Sequence, residues 1–342
     1  MRKKVLMKDI ARKVGSSIAL VSYVLNNKEG RVGLEMAEKI RKAAEDMGYQ
    51  PNLVAKSLQS GRTNSLGLIV ADISNGFFSQ LARDVEDEAA KIGYTVIIGS
   101  TDENMEKSQR LTEAFLNRQV DGLIIAPAAG TENQLKILKE RKFPFVLVDR
   151  YFPDLLTNSI RINNFESAYE ATKHLLSGGR EKVAMVTYAD STMAHFAERE
   201  KGYRLAMKES RSKPQLIQVS YSNMQAEMAV QMKKWMRPEC QPDALLFATH
   251  SLAISGLKEI RQIGLRVPQD LALLSFDEND AFALFDPALS FIRQPLATMA
   301  AEAVKLLFAN IRDSSRPYHQ VVLETELVLS EKDKKKPAVR TL

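Results

Sequence analysis

At 342 residues the chain is too long for one ordinary domain, and its 45% apolar and 26% charged composition is that of a globular protein with real cores. No apolar run reaches the roughly 18 residues of a membrane helix, the start MRKKVLMKDIARK carries no apolar export stretch, and the single cysteine, Cys240, excludes an internal disulfide and suits a reducing cytoplasm. The net charge of +6 is concentrated: 13 basic against 6 acidic residues up to Arg62 leave the remaining 280 at −1, which points that first segment alone at a polyanion.

In MKDIARKV, residues 7–14, Ile10, Ala11 and Val14 share one helical face, with Lys8, Arg12 and Lys13 opposite. Gly15 breaks this helix, and Ser16-Ser17 offers an N-cap for the next, IALVSYVLN. Ala11, Gly15 and Val21 match what a helix-turn-helix needs: a small residue at the crossing, a glycine in the turn and an apolar anchor on the second helix. A third helix from about Gly33 has Met36, Ile40, Ala43, Ala44 and Met47 as its stripe. Three short helices in so few residues predict a small core with the second helix free to enter a major groove.

Tyr49–Arg62 comes next. Pro51 suits a first helical position, Asn52 to Leu58 can make about two turns, and Ser60-Gly61 ends them. Such a helix is marginal alone and needs a partner, another copy or DNA.

From Leu66 the period changes. LGLIVAD, YTVIIGS, VDGLIIAP, PFVLVDR, KVAMVTY, DALLFAT and LALLSF are near-continuous apolar runs of strand length, alternating with helical patterns. Buried strands between helices predict parallel, doubly wound sheets. Roughly eleven strands are too many for one small sheet, so two similar subdomains are expected. Ligands in such sheets bind beyond the carboxyl ends of strands, and those ends are polar here, among them Asp72, Ser100, Asp149-Arg150, Thr249-His250 and Asp277-Glu278. The helix LATMAAEAVKLLFANI precedes one strand, YHQVVLETELVLS, and EKDKKKPAVRTL reads as a solvated tail.

Catalysis finds no support. GxSxG, Walker A and GxGxxG patterns are absent, and His174, His195, His250 and His319 are scattered without ligand spacing, so no catalytic or metal site and no cofactor is expected. Asp277-Glu278-Asn279-Asp280 lacks the glycine and terminal glutamate of a calcium loop; Asp277 suits a polar ligand instead. Phe77-Phe78 reads either as core or as one ring walling a cleft. Arg199 reads as a residue of a polar loop ahead of Gly202-Tyr203, exposed or gripping hydroxyls or a carboxylate.

From Met7 to about Leu329 the chain resembles the lactose-repressor (LacI/GalR) family of bacterial regulators. The resemblance rests on MKDIARKVG…VSYVLNN, GYQPNLVAKSLQSGRTNSLGLIVADISNGFF, RQVDGLIIAP, VDR, REKGY, GLRVPQDLALLSFDEND and DPALSFIRQP, in that order. It implies an all-α helix-turn-helix headpiece (1–48) plus a hinge helix (49–62), joined to an α/β periplasmic-binding-protein-like core of two doubly wound parallel-sheet subdomains (63–330), then a charged tail (331–342). The implied protein is no enzyme but a cytoplasmic homodimer on a palindromic DNA operator, controlled by a small ligand, most simply a sugar.

In the family, paired hinge helices enter the minor groove and a leucine wedges between base pairs. Leu58 matches that leucine, Ala55 permits close approach, and Asn52 and Lys56 join the DNA side. Family ligand positions fall on Phe77, Phe78, Asp149, Arg199, Asp277 and, near the cleft aromatic, Tyr221. The recognition helix departs from the family: Tyr23 stands at the place of an arginine, and Ile18, Ala19 and Leu20 can touch thymine methyls but make no bidentate base contact. Ser17, Ser22 and Asn26 remain phosphate contacts. In the cleft Thr249-His250 replaces the usual Asn-Asp, and Gly76 the usual proline. Two other classes stay open: a soluble sugar-binding or transport protein sharing only the core, and a sugar-modifying enzyme.

Overall fold

The computed structural model describes residues 5–26, 32–49, 61–189, 192–237, 239–285 and 288–330. The expected hinge helix and tail lie outside these residues, as do the DNA-side positions Asn52, Ala55, Lys56 and Leu58. The chain divides into two compact units between Thr63 and Asn64.

The first unit contains α1 (Met7–Val14), α2 (Ile18–Leu25) and α3 (Leu34–Asp46). Gly15 ends α1 in the left-handed region at φ 69°, where a side chain would be strained. Ser17 caps α2, its Oγ accepting from the Leu20 N–H at 3.2 Å. Ile10, Ala11, Val21, Val24, Ile40, Ala43 and Ala44 form the buried core of this unit; Val14, Met36 and Met47 pack at its margin.

The second unit holds two six-stranded sheets. The first contains β1 (Ser65–Val70), β2 (Thr95–Ser100), β3 (Gly122–Ile125), β4 (Phe145–Val148) and β5 (Ser159–Ile162). The second contains β6 (Val183–Tyr188), β7 (Gln215–Val219), β8 (Ala244–Phe247), β9 (Ala272–Phe276) and β10 (Ser290–Arg293). Their orders, β11-β5-β4-β3-β1-β2 and β12-β10-β9-β8-β6-β7, are the same when β6–β10 replace β1–β5. Within each set of five the pairing is parallel. The order reverses beside β1 and beside β6, which opens a crevice at the carboxyl ends of each sheet.

The segment read as one last strand is two. β11 (Gln320–Leu323) pairs parallel with β5 in the first sheet, and β12 (Glu326–Val328) pairs antiparallel with β10 in the second. The chain crosses between lobes there, after β5 and after β10. An apolar run shows that a segment is extended but not that it changes sheet halfway. The crossings are stitched together: Asn163 N–H donates to Leu323 O at 3.1 Å, and Thr325 N–H to Asn163 Oδ1 at 3.2 Å.

Between the strands lie α4 (Gly76–Lys91), α5 (Met105–Asn117), α6 (Glu132–Glu140), α7 (Asn164–Ser177), α8 (Ala194–Glu209), α9 (Met224–Trp235), α10 (His250–Ile263), a 3-10 turn (Asp280–Leu284) and α11 (Leu296–Arg312). One continuous apolar core runs through both lobes.

Candidate ligand cleft and DNA-facing helix

The equivalence of the lobes places two carboxylates face to face. Asp149 directly follows β4 and Asp277 directly follows β9, the matching strand of the second sheet. Both adopt left-handed backbone, φ 66° and 68°, at the point where the chain leaves its strand. Between them lies a cleft. All seven expected ligand residues, Phe77, Phe78, Asp149, Arg199, Tyr221, Thr249 and Asp277, line it.

The placements differ in kind. Phe77 and Phe78 open α4, where Asn75 Oδ1 caps the Phe77 N–H at 2.9 Å. The two readings of this pair both hold, since the rings are buried in the core, meet edge to face at 5.0 Å and still wall the cleft. Thr249 caps α10, its Oγ1 accepting from the Leu252 N–H at 3.3 Å. Tyr221 stands half exposed at the rim, 5.4 Å from the Tyr188 ring.

Arg199 is not in a loop. It sits in the second turn of α8 and is 2% exposed. Its polar neighbours suggested a loop, but they are the outer face of a helix whose inner face is His195, Phe196, Arg199, Gly202 and Tyr203. Arg199 Nε donates to Asn164 Oδ1 at 2.8 Å and Nη1 to Ala248 O at 2.6 Å, with the guanidinium 4.0 Å above the Phe276 ring.

The cleft also recruits Arg150 and Asn75, which belong to the polar strand ends but were not expected as ligand residues, and Glu103, Tyr188, His195, Phe196, Ser251 and Gln294, which the sequence did not place there. Arg150 is buried and gripped bidentately by Glu103 at 2.7 and 2.6 Å. Asn75 Nδ2 reaches across to Ser251 Oγ at 3.2 Å, joining the first lobe to the second. A usable signal was spacing: His195 and Phe196 lie four and three residues before Arg199, on one helical face. Glu103, remote in sequence from Arg150, carried none.

Burial raises the Asp149 carboxyl to about 6, with Arg150 and Arg199 pulling the other way. Burial acts on Asp277 too, but the bond from His250, the charge of Arg199 and the Gln294 amide outweigh it and hold the carboxyl below its ordinary value. His195 stays neutral, because burial, then Arg150 and Arg199, depress it well below the ordinary imidazole value. Three buried polar atoms of cleft-lining residues lack a hydrogen-bond partner: His195 Nδ1, the Gln294 Oε1 acceptor and Arg150 Nε, the last within ion-pair reach of Asp149 Oδ2 at 3.5 Å.

On α2, Ser17, Ile18 and Ala19 are exposed, while Leu20, Ser22, Tyr23 and Asn26 are partly buried. Ile18 is 54% exposed, an apolar side chain with no place in its own core. Asn26 Nδ2 donates to Ser22 O at 2.8 Å and Ser22 Oγ at 3.2 Å, so these two polar groups steady one another. Among the described residues no cluster of side chains suits a metal ion, and no helix is long and apolar enough to cross a membrane.

Residues 6–52 match the bacterial regulatory proteins of the lacI family, and residues 172–330 match the periplasmic binding protein-like domain. The ribose operon repressor of Haemophilus influenzae is 30% identical over 327 residues, covering 95% of this chain and 97% of the relative. The crystal structure of the Lac repressor dimer bound to operator and an anti-inducer has the same fold: TM-score 0.86, 20% identity, with 97% of this chain and 99% of that one covered. A regulator of the family from Enterococcus faecium, solved with bound ribose, matches 78% of this chain and 97% of its own at TM-score 0.67 and 24% identity. A DNA-binding helix-turn-helix and a two-lobed periplasmic-binding-protein-like core are thus joined in one chain, which belongs to the LacI family of transcriptional regulators.

Proposed function

We propose that this regulator is a cytoplasmic, homodimeric repressor whose affinity for a palindromic operator is set by a small neutral sugar held in the cleft. The reading divides the chain into headpiece (1–48), hinge helix (49–62), sensor and dimerisation core (63–330) and tail (331–342). The observation that carries the ligand class is the set of three unpartnered buried atoms: a donor on Arg150, an acceptor on Gln294 and a ring nitrogen on neutral His195. Left unpaired, the Gln294 and His195 atoms each cost about 1–3 kcal/mol, while the Arg150 donor has only the Asp149 carboxylate at 3.5 Å. Hydroxyl groups donate and accept at once, so a polyol satisfies all three. Asp149 and Asp277 add acceptors from opposite lobes, Arg199 adds a cation, and Phe77, Phe78 and Phe196 supply apolar faces for ring carbons. The Haemophilus repressor is named for ribose and the Enterococcus structure holds it, so pentoses come first among the candidates.

On the DNA side, α2 enters the major groove, with Ser17, Ser22 and Asn26 at phosphates and Ile18, Ala19, Leu20 and Tyr23 toward bases. Asn52, Ala55, Lys56 and Leu58 form the minor-groove element. Lobe closure would alter hinge pairing, a coupling of about 1–3 kcal/mol that acts equally in both directions. The purified protein should gain thermal stability with pentoses or hexoses, and the same sugars should change its retention of DNA from upstream of its own gene. A panel in which no neutral sugar stabilises the protein would sink the ligand class. Deleting residues 1–62 should abolish DNA retention and spare the sugar response; undiminished retention would overturn the role given to the headpiece, and a full chain that retains no DNA yet answers to sugars would be a soluble sugar-binding protein.

A further inference from the structure

We propose that Glu198 is a positioning residue that ties the cleft arginine and the first crossing between lobes into one hydrogen-bonded unit, so that the angle between the lobes and the placement of Arg199 are set together. Glu198 precedes Arg199 on α8 but lies behind the cleft, outside its wall. Its carboxylate has three donors. Tyr151 Oη and Arg161 Nη1 (3.2 Å) reach Oε1, and Asn164 Nδ2 reaches Oε2 at 3.3 Å.

These donors come from both sides of the hinge. Tyr151 follows the cleft pair Asp149-Arg150 in the first lobe, and Arg161 is in β5 of the same lobe. Asn164 opens α7, which packs on α8 and the second sheet. Arg161 and Asn164 therefore flank the crossing at Ile162–Asn163, one in each lobe, and hold a single carboxylate. Rotation about that crossing must change at least one of the two distances.

Asn164 completes the link to the cleft. Its Oδ1 accepts from Arg199 Nε at 2.8 Å while its Nδ2 donates to Glu198 and to Ile162 O at 3.4 Å, so one amide touches the arginine, the carboxylate and the last residue of β5. The Arg161 guanidinium lies 4.3 Å above the Tyr151 ring, which keeps the first-lobe donors in register. Burial and then the bond to Glu198 push the Tyr151 phenol up to about 12, so it remains a donor at every physiological pH. Any group that draws Arg199 toward the cleft pulls on the crossing through Asn164 and Glu198.

Glutamine at 198 has the same shape but one acceptor and one donor, and so faces three donors with a mismatch in either amide orientation. The inference is independent of which ligand the cleft takes, and its test needs none. In the full chain, one nitroxide per lobe (Lys136→Cys and Lys258→Cys in a Cys240→Ser background) reports the inter-lobe distance by pulsed dipolar spectroscopy. Loss of charge-assisted bonds predicts that Glu198→Gln raises the population at altered separations roughly tenfold and Tyr151→Phe roughly threefold. Distributions of both folded variants that superimpose on the wild type would overturn the proposal, even with lowered melting temperatures, because a purely structural brace loses stability without moving the lobes. Should Glu198→Gln not fold, Tyr151→Phe, which removes only a hydroxyl, decides the matter alone.

Discussion

Asp149 and Asp277 share burial, a strand-end position and a left-handed backbone, yet one is raised and the other lowered. The difference is direct donors. Asp277 accepts from Gln294 Nε2 at 2.6 Å and meets His250 Nδ1 at 3.3 Å, whereas the nearest cation to Asp149 is Arg150 Nε at 3.5 Å. A buried carboxylate with bonded donors ionises, and one with only nearby charge resists. Asp149, at about 6 in the folded protein against 3.8 unfolded, contributes stability that is fully present below about pH 4 and lost as the pH rises through 6. Asp149→Asn should therefore melt higher than the wild type at pH 7.5 and by a smaller margin at pH 5, while binding ribose at least about tenfold more weakly through loss of a charged acceptor. Melting curves at the two pH values and calorimetric titration with ribose check both halves; a variant that melts lower at pH 7.5 would refute the burial argument.

At the scale of elements, the site depends on how closely α7 and α8 approach. A Cβ on Gly202 of α8 would lie 2.1 Å from the Phe165 carbonyl oxygen and 3.0 Å from the Tyr169 nitrogen of α7, and backbone cannot give way as a side chain can. Overpacking of this kind costs about 1–3 kcal/mol. Gly202→Ala should lower the denaturation midpoint and weaken ribose binding as well, because α8 carries Arg199 away from Asn164. Unchanged affinity would show that the helix contact and the arginine are independent. Gly15 is the contrasting case: nothing crowds it, and only its positive φ resists a side chain. The helix-turn-helix was legible because all its determinants are local: a left-handed glycine, a capping serine and an apolar stripe within a few turns. The split of the last strand into β11 and β12 was not, since hydropathy is the same on either side of a crossing.

For the whole molecule, the charge excess before Arg62 predicts that operator affinity falls steeply with salt, as bound phosphates release counterions. Leu58→Ala should weaken operator binding by about tenfold or more if a minor-groove wedge offsets the cost of kinking; a gel shift at fixed salt that finds equal affinity would remove the wedge. Composition and period were enough to separate a basic helical headpiece from a parallel-stranded core and to mark Asp149, Thr249 and Asp277 as polar strand ends, because strand-end position depends on local pattern; Phe77, Phe78, Arg199 and Tyr221 were singled out as ligand positions by the family resemblance. Partnership was left to the tertiary structure. Glu103 meets Arg150 from 47 residues away, Gln294 meets Asp277 after a further strand, and Glu198 gathers donors from both lobes. The first two arise when segments remote in sequence meet within one lobe, and the third only when the two lobes come together. Which carboxylate ionises, which imidazole stays neutral and which buried polar atoms lack a hydrogen-bond partner were therefore decided by burial and distance in the folded chain.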